Sequence, residues 1–230
     1  MTTQAERATE PRAPLTRERV LRAAIALADE GGLGVLTMRR LAESVRAEAM
    51  SLYYHVSNKD DVLDGILDLI AQEINEVGAA AGEDGDWKSA VRQRILGARQ
   101  VLLRHRWAPG LLATRNSTSP AIIAHHDTLI WLMHRGGLSY DLIHHGMHAL
   151  GSRSMGFAQE LFDPGSGPVS EETLQALAAG FPNIAGMLRE VAHDDPESTL
   201  GWCDDQTEFE FGLDLILDGL ETKRQAAANR

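Results

Sequence analysis

The sequence predicts an all-α protein: a small N-terminal helix-turn-helix unit followed by a larger helical domain. Three observations carry this. Apolar residues recur at three- and four-residue spacing from Val20 onwards. The interruptions are Gly, Pro and Asp/Ser clusters, which punctuate helices. Val, Ile and Thr nowhere alternate with polar residues over the length of a strand.

Residues 1–14, with Pro11, Pro14 and many charges, read as a flexible tail. Thr16 can cap a first helix whose stripe is Val20, Ala24, Leu27 and Gly31, flanked by Leu21, Ile25 and Ala28; Gly31-Gly32 ends it. Thr37 caps a short second helix, MRRLAESV, with Leu41, Ala42 and Val45 inward. After a turn comes a third, AMSLYYHV. Asn58 caps a fourth, where Asp60 and Asp61 complement the helix dipole and Leu63, Ile66, Leu67, Ile70, Ile74 and Val77 form the stripe. GAAAGEDGD (78–86) is a break. Helical patterns follow at 87–106, 118–135, 140–162, 171–192 and 206–224, divided by Pro109, Pro120, Gly136-Gly137, 163–168 and 193–199. The expected division is 15–62 for the small domain and 63–225 for the large one.

Composition bounds the function. The apolar fraction of 43% suits a globular chain. A single cysteine, Cys203, allows no internal disulfide and suits a reducing cytosol. The first twenty residues lack the apolar core of a secretion signal, and no run is long and apolar enough to span a membrane, so a cytoplasmic protein is expected. The net charge of −11 is unevenly placed. Residues 1–60 carry nine Lys/Arg against eight Asp/Glu; the other 170 carry 13 against 25. Only the N-terminal quarter can approach a polyanion without strong repulsion.

Three short helices with a tight turn between the second and third can place the third in the major groove of DNA. Ser51, Tyr53, Tyr54 and His55 can then donate to phosphates or base edges, Arg39 can grip a guanine bidentately, and Lys59 can anchor a phosphate. The same spacing also suits a plain helical domain with Tyr53 packed inside and Tyr54-His55 on its surface.

TMRRLAESVRAEAMSLYYHVSNKDDVLDGI, with GGLGVLT before it, resembles the DNA-binding domain of the tetracycline-repressor (TetR) family. The strongest piece is LYYHVSNKDDVL. The likeness continues more weakly through LATRN (112–116) and TEFEFGLDLILDGLE (207–221), in the manner of the tetracycline repressor's own subgroup. The resemblance implies DNA contacts by Thr37, Arg39, Ser51, Tyr53, Tyr54, His55 and Lys59. Ala49 and Met50 replace more polar or rigid residues at the start of the recognition helix and suit a thymine methyl. Arg46 stands where the family's turn has a glycine, which implies a differently shaped turn or an added phosphate contact.

The resemblance further implies a homodimer reading a palindromic operator, and a small-molecule effector that releases it. Asn75, Arg94, Thr114, Arg115, Leu129, His144, Met147, His148 and Gly151 fall at or near pocket positions. Leu111 stands where the tetracycline repressor has a magnesium-ligating histidine, so an apolar or aromatic effector is expected rather than magnesium–tetracycline. The expected interface helices are 140–162, with Gly146, Gly151 and Gly156, and 206–224, with Phe209, Leu213, Ile216, Leu217 and Leu220. That second stripe also suits a monomer core, although the resemblance favours the interface.

Two other function classes remain in view. His144 and His148 stand one turn apart, a spacing that can bind a metal, but no H-E-x-x-H motif or nearby carboxylate or cysteine completes a set, so neither metal nor cofactor is expected. GSRSMG is not a nucleophile elbow, and GGLGVLT lacks the last glycine of a dinucleotide fingerprint, so no enzyme is expected. A helical small-molecule binder without DNA function is the other alternative.

Overall fold

The computed structural model describes residues 14–80, 86–115, 119–155, 171–191 and 205–229; Gly156, Cys203 and the breaks at 163–168 and 193–199 lie outside them. The described residues form eleven helices: α1 (Arg17–Gly31), α2 (Met38–Ser44), α3 (Ala49–Leu52), α4 (Lys59–Ala80), α5 (Trp87–Arg104), α6 (Ala108–Thr114), α7 (Pro120–Arg135), α8 (Tyr140–Met155), α9 (Glu171–Gly180), α10 (Pro182–Val191) and α11 (Asp205–Ala228). No strand occurs among them. The described residues form two units, one drawn from 14–76 with 100–115 and 119–124, the other from 77–80, 86–99, 125–155, 171–191 and 205–229.

In the first unit the caps act as the residue types require. Thr16 Oγ1 accepts from the Arg19 N–H at 3.2 Å, and Thr37 Oγ1 from the Arg40 N–H at 3.2 Å. Gly32 leaves α1 at φ 72°, its N–H bonding Ala28 O. The core joins Val20, Leu21 and Ala24 of α1, Leu36, Leu41, Ala42 and Val45 around α2, Leu52 and Val56, Val62, Ile66 and Leu67 of α4, and Leu111 of α6. Gly65 lets α4 lie against α1, since a Cβ there would stand 2.7 Å from Leu21 Cδ2.

The turn after α2 has the Schellman pattern. Ala47 N–H bonds Ala42 O at 2.9 Å and Arg46 N–H bonds Glu43 O at 3.1 Å. Arg46 takes the left-handed conformation, φ 55°, that such a turn normally gives to glycine. The turn thus keeps the glycine-type shape with an arginine in it, at a cost of about 1 kcal/mol.

The second unit packs Trp87, Val91 and Ile95 of α5 with Leu129, Leu132 and Met133 of α7, Leu138, Ile143 and Leu150 around α8, and Phe209, Leu213, Leu217 and Leu220 of α11. The apolar stripe expected to form an interface is therefore the unit's own core, with Ile216 packed against it. Gly146 serves the same core, since a Cβ there would meet Leu220 Cδ1 at 3.0 Å. Ion pairs tie α5 to α11: Arg92 bonds Glu210 (2.6 Å) and Asp214 (2.7 Å), and Lys88 bonds Asp218.

Two helices depart from expectation. Pro109 does not break the chain; it occupies the first turn of α6, where its missing N–H has no intrahelical partner to lose. Pro182 opens α10 in the same way, so 171–192 is two helices rather than one.

Candidate nucleic-acid interface and effector-domain residues

The recognition segment is shorter as a helix than expected. Only Ala49–Leu52 is helical, and residues 53–55 continue as a turn closed by His55 N–H and Val56 N–H on Leu52 O at 2.8 and 2.9 Å. Leu52 (0% exposed) and Val56 (2%) pin this segment into the core. Their burial turns the intervening residues outward: Tyr54 is 88% exposed, Met50 71% and Tyr53 47%. Tyr53 does not pack inside. Thr37, Arg39, Ala49 and Lys59 are exposed, while Ser51 and His55 are half-buried.

A clamp fixes this surface to its scaffold. Arg17 of α1 donates Nη1 to His55 O (3.0 Å) and pairs through Nη2 with Asp61 Oδ1 (2.5 Å). Asp61 also accepts the Ser57 N–H at 2.7 Å, and its own N–H bonds the Asn58 Oδ1 cap at 2.8 Å. The Arg17 guanidinium, helped by the Ser57 amide, holds the Asp61 carboxyl down at about 2. Arg39 is held by Glu43 at 3.0 Å, an exposed pair easily exchanged for another anion.

Behind this surface the first unit carries Asn75, Thr114 and Arg115. Arg115 bonds Asp64 (2.6 Å) and Asp60 (3.1 Å), locking the end of α6 to the first turns of α4. Thr114 Oγ1 bonds the carbonyls of Gly110 (3.2 Å) and Leu111 (3.1 Å). Asn75 Nδ2 donates to Ala121 O at 2.8 Å. His105 Nδ1 and Trp107 Nε1 both meet Asp29 Oδ1, at 2.8 and 2.7 Å, and so hold α1 to the chain before α6.

In the second unit Arg94 is 6% exposed and Leu129 4%, the latter inside the core. Met147 packs against that core, whereas His144, His148 and Gly151 are exposed on α8. The His144 and His148 rings meet edge to face at 4.6 Å. Among the described residues no three His, Cys, Asp or Glu side chains converge as a metal would require. One further histidine of this unit is distinguished by its surroundings, His125. Its Nδ1 is enclosed without a hydrogen-bond partner. Burial, then the nearby charge of Arg94, then His126, push its pKa down to about 4, so the ring is neutral at pH 7. The His125-His126 pair was visible in the sequence; which of the two turns inward was not.

Residues 20–66 match the family described as bacterial regulatory proteins, tetR family, and residues 79–224 match the tetracyclin repressor-like C-terminal domain. The chain is 32% identical over 215 residues to an HTH-type transcriptional regulator of Saccharopolyspora erythraea, covering 90% of this chain and 84% of that one. It is 31% identical to the HTH-type transcriptional repressor DrrR1 of Streptomyces coeruleorubidus, covering 92% and 79%. Among solved structures, apo ActR from Streptomyces coelicolor superposes with a TM-score of 0.74 at 28% identity, covering 94% of this chain and 99% of that one. ActR has also been solved in complex with actinorhodin, with TM-score 0.67, 26% identity and coverage of 92% and 99%. No helix among the described residues is long and apolar enough to cross a membrane. A TetR-type helix-turn-helix over one end of the chain and a tetracycline-repressor-like domain over the rest make this protein a member of the TetR family of transcriptional regulators.

Proposed function

We propose that the protein is a dimeric, sequence-specific repressor that binds a palindromic operator and is released by a small-molecule effector. The observation that carries the DNA reading is the outward set Met50, Tyr53 and Tyr54, held on a rigid turn by Leu52, Val56 and the Arg17–Asp61 clamp, with Arg39 and Lys59 exposed on the flanking helices. Leaving Tyr54 in water brings the monomer little; stacked on a sugar-phosphate edge it contributes area and a hydroxyl. The domain division follows this use: 15–62 reads DNA, and 63–225 binds effector and partner subunit. No catalytic step is assigned to the chain.

The dimer reading rests on α11. With its core stripe consumed internally, the helix still exposes Phe211 (62%) and Leu215 (57%), one turn apart. For the effector we read contacts at Arg94, Leu129, His144, Met147, His148 and Gly151 of the second unit, to which we add His125. Leu111, buried in the core of the first unit, offers no ligand for magnesium, which favours an apolar or aromatic effector over magnesium–tetracycline. ActR, solved with actinorhodin, supports an organic effector of that kind.

Release follows as a population shift: the effector prefers a conformation in which α4 has tilted. Arg115 supplies a lever, because its bonds to Asp60 and Asp64 pass any displacement of the α6 end to the turn beside Lys59. We therefore read Arg115 as a strut, where the sequence resemblance placed it among ligand contacts. Fluorescence anisotropy on a selected operator duplex, titrated with actinorhodin and with magnesium–tetracycline, tests the reading. Loss of operator binding with the first alone supports it; operator binding unchanged by every organic compound of a broad panel removes the effector arm.

A further inference from the structure

The turn between α2 and α3 contains a strained residue that the fold does not need. Arg46, at φ 55°, is the only non-glycine residue with positive φ among the described residues. Glycine would satisfy the same two Schellman bonds without a Cβ penalty. The backbone cannot relax away from this geometry. Val45 and Ala42 on one side are buried in the core, and the Val45 carbonyl is held by Arg19 Nη2 of α1 at 3.3 Å. Strain that persists in an over-determined backbone points to a use for the side chain.

What the side chain offers is an exposed guanidinium. In the same unit Arg17, Arg22, Arg39, Arg104 and Arg115 are each paired with a carboxylate. Arg46 meets no carboxylate among the described residues, and unlike Arg40 and Arg106, which share that condition, it stands on a left-handed backbone. It stands three residues before Ala49, where the recognition segment begins, and its main chain is fixed, so little ordering is lost when the guanidinium engages an anion. A planar fork on a rigid turn suits a phosphodiester better than a base edge, because the turn sits beside the segment that carries Met50, Tyr53 and Tyr54.

We propose that Arg46 is a DNA backbone anchor: its guanidinium, carried on the left-handed residue of the turn, binds a phosphodiester flanking the bases read by residues 49–55. The proposal rests on the DNA-binding function above. It separates two properties that usually travel together, since removing the side chain should stabilise the fold and weaken the complex.

The test uses the full-length protein, wild type, Arg46→Gly and Arg46→Lys, with a duplex recovered by selection and a scrambled duplex of equal length. Affinities are measured from about 50 to 300 mM KCl and unfolding midpoints are recorded for each protein. Arg46→Gly should raise the midpoint by about 1–3 °C. It should weaken selected and scrambled duplexes by a similar factor, about three- to tenfold, and make the salt slope shallower by about 1 per bound subunit. Arg46→Lys should keep most of that slope. An unchanged slope and affinity in Arg46→Gly, with the wild type binding normally, overturns the anchor alone. A loss confined to the selected duplex means base readout instead and also overturns it. If the wild type binds neither duplex, the DNA-binding reading falls and the anchor with it.

Discussion

Replacing Arg17 with Met and Asp61 with Asn, singly and together, measures the clamp that holds the recognition segment against α1 and α4. The pair is bidentate, with Arg17 Nη2–Asp61 Oδ1 at 2.5 Å and Nη1–Oδ2 at 3.0 Å. The carboxyl drops from 3.8 to about 2, which at ~1.4 kcal/mol per unit sets a ceiling of roughly 2.4 kcal/mol. The side chains are 46% and 27% exposed, so water and salt screen much of this, and about 1 kcal/mol of coupling is expected. Urea unfolding at pH 7 of the four proteins in a double-mutant cycle gives the coupling directly. The pH dependence fixes its sign. The folded carboxyl is held below its unfolded value, so the stabilisation is complete above the unfolded value of 3.8 and is lost as pH falls through about 2. Coupling at pH 7 indistinguishable from zero, or coupling that persists undiminished as pH falls from 4 towards 2, refutes the clamp as described.

Three further outcomes follow from other parts of the chain. Gly136→Ala places a Cβ 2.3 Å from Trp87 Cγ and 2.5 Å from its Cβ, so it should cost about 2 kcal/mol in urea unfolding. Arg39→Ala and Tyr54→Ala remove exposed side chains and should change stability by less than about 0.5 kcal/mol while weakening a selected operator by about tenfold or more. His125 is held neutral down to about 4 against an unfolded 6.5, so stability is lost as pH falls below 6.5; His125→Leu should make the loss from pH 7 to pH 5 smaller by roughly 2 kcal/mol. A loss identical to the wild type's would mean that the ring is not desolvated.

The DNA-binding end was readable because its signals are local. Thr16, Thr37 and Asn58 act within one turn of themselves, and the positions of Leu52 and Val56 decide which way Tyr54 points. Where the outcome depended on distant partners, the sequence was ambiguous. A stripe such as Phe209, Leu213 and Leu217 says that one face of α11 is buried but not whether by this chain or another; here α5, α7 and α8 cover it. Prolines misled for a related reason. Pro109 was read as a break and Pro182 was passed over inside one continuous helix, yet each stands in the first turn of a helix, and periodicity alone does not fix which turn a proline occupies. Arg115 has partners that no local pattern announces, since its guanidinium is engaged by Asp60 and Asp64, four residues apart on α4. His125 shows another limit, because adjacent histidines on a helix look alike until the packing selects one.

Selection of duplex DNA from a random pool by the purified protein, beside the Arg39→Ala/Tyr54→Ala double variant, tests the central claim most directly. The account predicts that the wild type alone recovers a palindromic site with half-sites about one helical turn, roughly 34 Å, apart or a multiple of it. Enrichment of nothing by either protein, or of the same sites by both, would contradict it.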